Sequence, residues 1–462
     1  MQEKSRRPSP DGLTTSRPET ITRAELLRRM GAAGLAFPTL GALLAACGSS
    51  DEESGTTTTG GTADFSGQTL TFLAAQPQAG AARLLKAEFE AATGARVRYT
   101  VVPYDQIQAK ATLDVQSGAA QFDVFQYWYT SVGALADQGV FEDITDWVES
   151  NDAIDAGDFI ASIYDPYSLY DGKRYGLPFD GDYHILFYNT EIFEQARVEP
   201  PTTWEEYVDV AAEITAKLKR RGIYGAALLG RKTAFDIGSS FFNRLATSGG
   251  AAIVDGKPAL DTPEALEAAK TMNAVAPHAL PTPLQTGFDT ALPQWLAGRV
   301  GMMEFWTDLG AFSQDKSQSK VVDRWECLPL PVGRGGRKAA ALNAGWAFAV
   351  STASKNPELA RAFVEFATSR QENLKLATTT GSGIDPTRTS TLNAAGYKRF
   401  APKVQKVAAQ VAENAQPWPT VPQAPELIKI LNDELALMLQ GSKSPEAALE
   451  AIQAGWSDAL RV

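Results

Sequence analysis

A chain of 462 residues with two His and two Cys has little material for a His-based metal site or a disulfide scaffold. Carboxylates are plentiful, at 54 Asp plus Glu. A facing pair could hydrolyse a glycoside, but that chemistry needs a separation of about 5–10 Å, which linear order does not show. The phosphate loops GxGxxG and GxxxxGK[ST], the nucleophile elbow GxSxG, the zinc signature HExxH and the redox pair CxxC do not occur in the sequence. Several enzyme classes are therefore disfavoured. Cys327 alternates with its neighbours in Trp325-Glu326-Cys327-Leu328 like a buried strand thiol, not a nucleophile. His184, inside the apolar run Ile185-Leu186-Phe187, reads as a core histidine.

The other cysteine has a different setting. Basic residues Arg23, Arg28 and Arg29 precede an Ala-, Gly- and Leu-rich run from Met30 to Ala46, and Leu44-Ala45-Ala46 stands directly before Cys47. Small residues before a single Cys resemble the bacterial lipobox, so residues 1–46 are expected to be a lipoprotein signal peptide and Cys47 the lipidated residue. Arg28-Arg29 is a twin arginine whose flanks leave twin-arginine and general secretory export both open. Residues 47–66, with four consecutive Thr and several Gly, read as a flexible tether. Anchoring is thus expected on the outer face of the cytoplasmic membrane or in the periplasm, through the N-terminal lipid.

The rest must position any site. Hydrophobic residues make up 44% and charged ones 21%, a globular composition. The net charge is −11, and residues 1–46 hold more basic than acidic side chains, so the mature chain is more acidic still. That argues against nucleic acid as a partner. From Thr69 onward short apolar runs alternate with helical periodicity: 70–75, 81–93 ending at Gly94, 96–102, 105–116, 122–127. The alternation restarts with 184–189, 203–221, 223–228 and 263–275. Such alternation predicts α/β layers with largely parallel sheets, in two lobes. The last third predicts helices over 357–368, 371–378, 397–410, 425–440 and 445–460, several opening on Pro and an acid.

Five segments, in order, resemble bacterial extracellular solute-binding proteins of family 1, the maltose-type sugar-binding lipoproteins of ABC transporters. They are Phe122-Asp123-Val124-Phe125 with its following aromatics, Gly172 to Asp180 leading into Leu186-Phe187-Tyr188-Asn189, Pro201-Thr202-Thr203-Trp204-Glu205-Glu206, Gly298 to Trp306, and Asn343 to Ser351 followed by Lys355 to Ala360. The resemblance runs from about Thr69 to Leu460. It implies an α/β, two-lobe periplasmic-binding-protein-like fold (type II), with discontinuous lobes joined by a hinge. Lobe I would comprise 67–181 plus 325–370, and lobe II 182–324 plus 371–462. It also implies a monomer without cofactor or catalysis, which binds a carbohydrate or alditol and delivers it to the permease subunits of an ABC importer.

In such a site aromatic plates cover sugar C–H faces, while acids and amides satisfy the hydroxyls. The resemblance implies these ligand-binding residues: Gln76, Gln78, Gln126, Trp128, Tyr129, Asp182 and Tyr183, then Asp236, Ser240, Phe241 and Trp306, then Asn343, Gly345, Trp346 and Arg388. Trp147, Trp204 and Trp295 read as packing residues instead. One departure counts against a long glucan. The stretch Pro419-Thr420-Val421-Pro422-Gln423 is not followed by the aromatic shelf of maltodextrin binders, and Trp418 lies upstream instead. The same fold could bind a polyamine, a peptide, or a glycerol phosphoester through Arg231, Arg244 and Arg388. A secreted carbohydrate-active enzyme is the alternative from another class.

Overall fold

The computed structural model describes residues 64–233, 235–333, 336 and 341–461. Cys47, the signal segment and nearly all of the tether lie outside the described residues.

Two sheets organise the described chain. In the first the spatial order is Arg96–Val102, Thr69–Ala75, Val124–Trp128, Trp346–Val350, Leu177–Asp180. Thr69–Ala75 runs parallel to both Arg96–Val102 and Val124–Trp128. Trp346–Val350 is antiparallel to both of its neighbours. In the second the order is Trp325–Leu328, His184–Asn189, Val300–Trp306, Tyr224–Ala226. Only Tyr224–Ala226 and Val300–Trp306 pair in parallel there, since His184–Asn189 is antiparallel to both of its neighbours. The expectation of largely parallel sheets is corrected accordingly. Strands that enter a sheet from the other lobe start at the inter-lobe end and run against the local strands, and alternation alone cannot reveal that reversal.

Trp325–Leu328 pairs with His184–Asn189 in the second sheet, whereas the expected division placed 325–370 with the first lobe. The chain returns to the first sheet only at Trp346. Cys327 is a buried strand thiol, as its alternation suggested, and burial pushes it up to about 12.

Local chemistry sets the helix ends. Thr203 caps Trp204–Leu218 in a reciprocal box with Glu206, and Asn189 caps Thr190–Ala196. The helix expected over 397–410 is two, Ala395–Phe400 and Pro402–Val411, because Pro402 lacks the N–H that a continuous helix needs. In Thr69–Ala75 the side chains alternate. Leu70, Phe72 and Ala74 join one core with Phe89, Phe348 and Phe363. Leu73 and Ala75 face a second core, which continues into the other lobe.

The lobes meet where strand ends face each other. Asp180 ends a strand of the first sheet and His184 begins one of the second, three residues on. The returning chain lies alongside: Tyr183 bridges to Asn343, and the Ala344 N–H donates to the Asp182 carbonyl at 3.0 Å. This two-stranded crossing is very close-packed. A Cβ on Gly345 would stand 1.9 Å from the Asp180 carbonyl oxygen, and one on Gly181 would stand 2.0 Å from that of Pro386.

Candidate ligand site between the two sheets

Strand register puts the aromatic candidates at facing ends. Trp346 pairs with Trp128 and Asp180 in the first sheet, and Trp306 pairs with His184 in the second. Phe235 links the two sets, with ring centroids 5.4 Å from Trp128 and 5.6 Å from Trp306. Trp418 packs at 5.0 Å from Trp128 on the other side. Tyr104, after the strand Arg96–Val102, packs on Phe235 with tilted rings 4.0 Å apart and accepts from Arg231 at 3.2 Å. A cavity of about 410 Å³ opens beside this aromatic chain, between Trp128, Thr130 and Ser131 on one side and Thr233, Asn432 and Asp433 on the other.

Behind the aromatics lies a carboxylate cluster. Asp180, Asp182 and Asp385 are all buried and bring one oxygen each within 4.8 Å of one another. The Thr307 hydroxyl stands 3.1 Å from Oδ1 of Asp182 and 3.1 Å from Oδ2 of Asp385. A hydroxyl carries one hydrogen, so it cannot fully satisfy two ionised carboxylates at once. Tyr397 donates to Asp385 at 2.9 Å, Gln78 donates to Asp180 at 3.1 Å, and the Asp385 N–H donates to Asp180 at 2.8 Å. Burial first, then mutual repulsion, raises the Asp180 carboxyl to about 7 and Asp182 well above the usual carboxylate range. Asp308 is raised well above it for the same reasons, and burial raises Asp385. The cluster therefore holds protons near neutrality.

Several polar atoms here are buried without a partner: Gln78 Oε1, Gln126 Nε2, the Tyr183 hydroxyl, Asp308 Oδ1, Asn343 Oδ1 and Trp418 Nε1. Each is a donor or acceptor that water no longer serves, at about 1–3 kcal/mol per group.

The sequence candidates divide accordingly. Trp128, Asp182, Tyr183, Trp306, Asn343, Gly345 and Trp346 lie on the facing strand ends and crossings. Gln78 lies in the short turn after Thr69–Ala75, and Gln126 is in mid-strand with its Oε1 accepting from the Ala75 N–H. Gln76 is exposed beside them. Tyr129 is fully buried, stacked on Tyr167 at 4.3 Å, with its hydroxyl shared between the Asn343 carbonyl and the Trp418 N–H.

Asp236, Ser240 and Phe241 face their own lobe. Asp236 is saturated by Arg231, Thr233 and the Phe288 N–H, Ser240 donates to the Leu229 carbonyl, and Phe241 is core. Arg388 lies apart, donating to the carbonyls of Ile154, Asp155 and Thr368 and covering Phe159 at 4.0 Å. Arg244 is buried on Glu304 at 2.8 Å, over Trp204. Arg231, Arg244 and Arg388 therefore do not converge. His184 is a core residue, with its Nδ1 3.0 Å from Asn243 and burial pushing it down to about 3.

Asp180, Thr307, Asp308, Asp385, Phe235 and Tyr397 were not singled out from the sequence. Asp180 and Asp385 stand inside stretches already picked out, the segment ending at Asp180 and Asp385-Pro386-Thr387-Arg388.

Residues 74–373 match the family of the bacterial extracellular solute-binding protein. The chain belongs to this family. The solute-binding protein is 27% identical over 448 residues to a probable amino-acid ABC transporter periplasmic-binding protein of Sinorhizobium fredii, covering 92% of this chain and 96% of the relative. It is 28% identical over 337 residues to a mannitol-binding protein of Pseudomonas aeruginosa, covering 69% and 73%. Among solved structures it resembles an ABC transporter solute-binding protein of Agrobacterium radiobacter in complex with ribitol, with TM-score 0.78 and 25% identity over 86% of this chain and 99% of that one. The two sheets are thus the two lobes of this fold, and the family is one of binding proteins. Among the described residues no helix of this solute-binding protein is long and apolar enough to cross a membrane.

Proposed function

We propose that the protein is the substrate-binding component of an ABC importer and takes up a polyhydroxylated solute, an alditol or a mono- or oligosaccharide, between its lobes. The observation that carries this reading is the group of partnerless buried amide, hydroxyl, carboxyl and indole atoms set among Trp128, Trp306, Trp346 and Trp418 at the facing strand ends. Hydroxyls of the solute would satisfy the polar atoms, and its C–H faces would lie on the rings. The mannitol-binding relative and the ribitol complex belong to this solute class. Lobes joined by short crossings can rotate about them, so binding would close the cleft and present a closed form to the permease. The phosphoester reading loses support because Arg231 is paired with Asp236 and Asp289, Arg244 with Glu304, and Arg388 is held on main-chain carbonyls.

Lipidation at Cys47 belongs to the same proposal: the lipid would hold the monomer at the membrane near its transporter. Mass spectrometry of the membrane fraction should show a diacylglyceryl adduct that Cys47→Ala abolishes.

Calorimetric titration with a panel of alditols, monosaccharides and disaccharides tests the ligand class. At least one is expected to bind at micromolar Kd, about −8 kcal/mol, and Trp128→Ala should weaken it about tenfold or more. No binding across the panel would sink the proposal.

A further inference from the structure

We infer that the solute carries a protonated amine, held by the carboxylates of Asp308 and Asp385, with Asp180 and Asp182 adding negative charge beside them. This rests on the inter-lobe reading above and narrows its solute class.

The first ground is charge. Three of these carboxylates lie within 4.8 Å of one another, and Asp308 is close enough that Asp385 and Asp180 raise its carboxyl. Among the described residues none of the four forms an ion pair, and the groups that contact them are neutral: Gln78, Thr307 and Tyr397. The other titratable groups facing the cluster are the buried phenols of Tyr167 and Tyr183. Buried carboxylates without a counter-charge must keep protons or receive a cation.

The second ground is the sense of the open hydrogen bonds. Gln78 is 4% exposed, its amide lies against Asp180, and its Oε1 has no partner; neither has the buried Oδ1 of Asp308. Both are acceptors. A hydroxyl can donate to one such acceptor but brings no charge, whereas an ammonium offers three donors together with the missing positive charge. The third ground is space. A cavity of about 220 Å³ reaches Asp308 and Asp385 and is walled by Phe312, Tyr397 and Phe400. The faces of these rings attract the charge of an amine.

Matched neutral and amino solutes test the inference by calorimetry at pH 7: D-glucitol against 1-amino-1-deoxy-D-glucitol, D-glucose against D-glucosamine, and D-galactose against D-galactosamine. In at least one pair the amine is expected to bind at least about tenfold more tightly, with protons released from the cluster, so that the heat changes with the ionisation enthalpy of the buffer. Asp308→Asn and Asp385→Asn, checked for native circular dichroism, should each bring the affinity ratio toward unity. Neutral members that bind as well as or better than their amines overturn this inference and leave the sugar reading standing. No binding by any member of any pair overturns the inference, and silence across the wider neutral panel as well overturns the sugar reading with it. Calcium or magnesium chloride alone binding at micromolar Kd, with no amine preference, assigns the cluster to a metal and also overturns the inference.

Discussion

Arg388 shows how a residue in a recognisable motif can serve packing instead of a ligand. Its guanidinium bonds three main-chain carbonyls and lies 3.6 Å from Asp158. Arg388→Met would leave those three carbonyls without their donor, while Asp158 keeps Arg370 and Ser390, at a cost of about 3 kcal/mol. The expected result is a clear drop in Tm by differential scanning calorimetry, with Kd for the best panel ligand unchanged in the folded fraction. A weakened Kd at unchanged Tm would return Arg388 to the ligand site. Sequence could not separate these roles, because an Arg after Asp-Pro-Thr looks the same whether its partners are hydroxyls or carbonyls. Trp128, Trp306 and Trp346 lie at strand ends, each 8% exposed or less, and their sequence alone leaves ligand contact and packing both open.

At the scale of elements, the crossing is where backbone proximity decides most. The segments 180–184 and 343–346 run side by side, and Gly345 donates its N–H to the Tyr167 hydroxyl at 2.8 Å. Gly345→Ala puts a methyl group into the Asp180 carbonyl, and backbone cannot yield as a flexible side chain does. A loss of about 3 kcal/mol or more is expected by chemical denaturation, with ligand binding lost in parallel. Thr203→Ala, which removes only a helix cap, should cost about 1 kcal/mol and leave binding intact. Equal effects from the two variants would contradict this account. Strand and helix positions were largely legible from periodicity. Pairing direction was not, because a returning strand has the same pattern whichever way it runs.

For the whole molecule, the buried carboxyls govern the response to pH without ligand. Their pKa values in the folded protein lie above those of the unfolded chain. The folded state therefore holds more protons than the unfolded one, and stability falls as pH rises toward the folded values. His184, depressed by burial, acts in the opposite sense, but mainly below about pH 6.5. Between pH 7 and pH 8.5 the carboxyls dominate, at about 1.4 kcal/mol per pH unit for each proton still held. Denaturation at the two pH values should show lower stability at the higher one, and Asp182→Asn should flatten the slope. A wild-type protein equally stable at both would contradict the shared-proton account.

By itself the sequence determined the local matters: strand and helix periodicity, the capping residues, the excess of acid over base, and the order of motifs that marks the family. These depend on neighbours within a few positions or on composition, so linear order contains them. Tertiary structure decided which residues meet. Asp180 and Asp385 are 205 positions apart, and they share a cluster only because the chain crosses between lobes and returns in one register. The same crossings turned Trp325–Leu328 into the second lobe, set Arg388 against main-chain carbonyls and gathered four acids where no cation stands among the described residues. Long-range contacts follow from the direction and register of the strand pairings, and those are settled only when both lobes have packed.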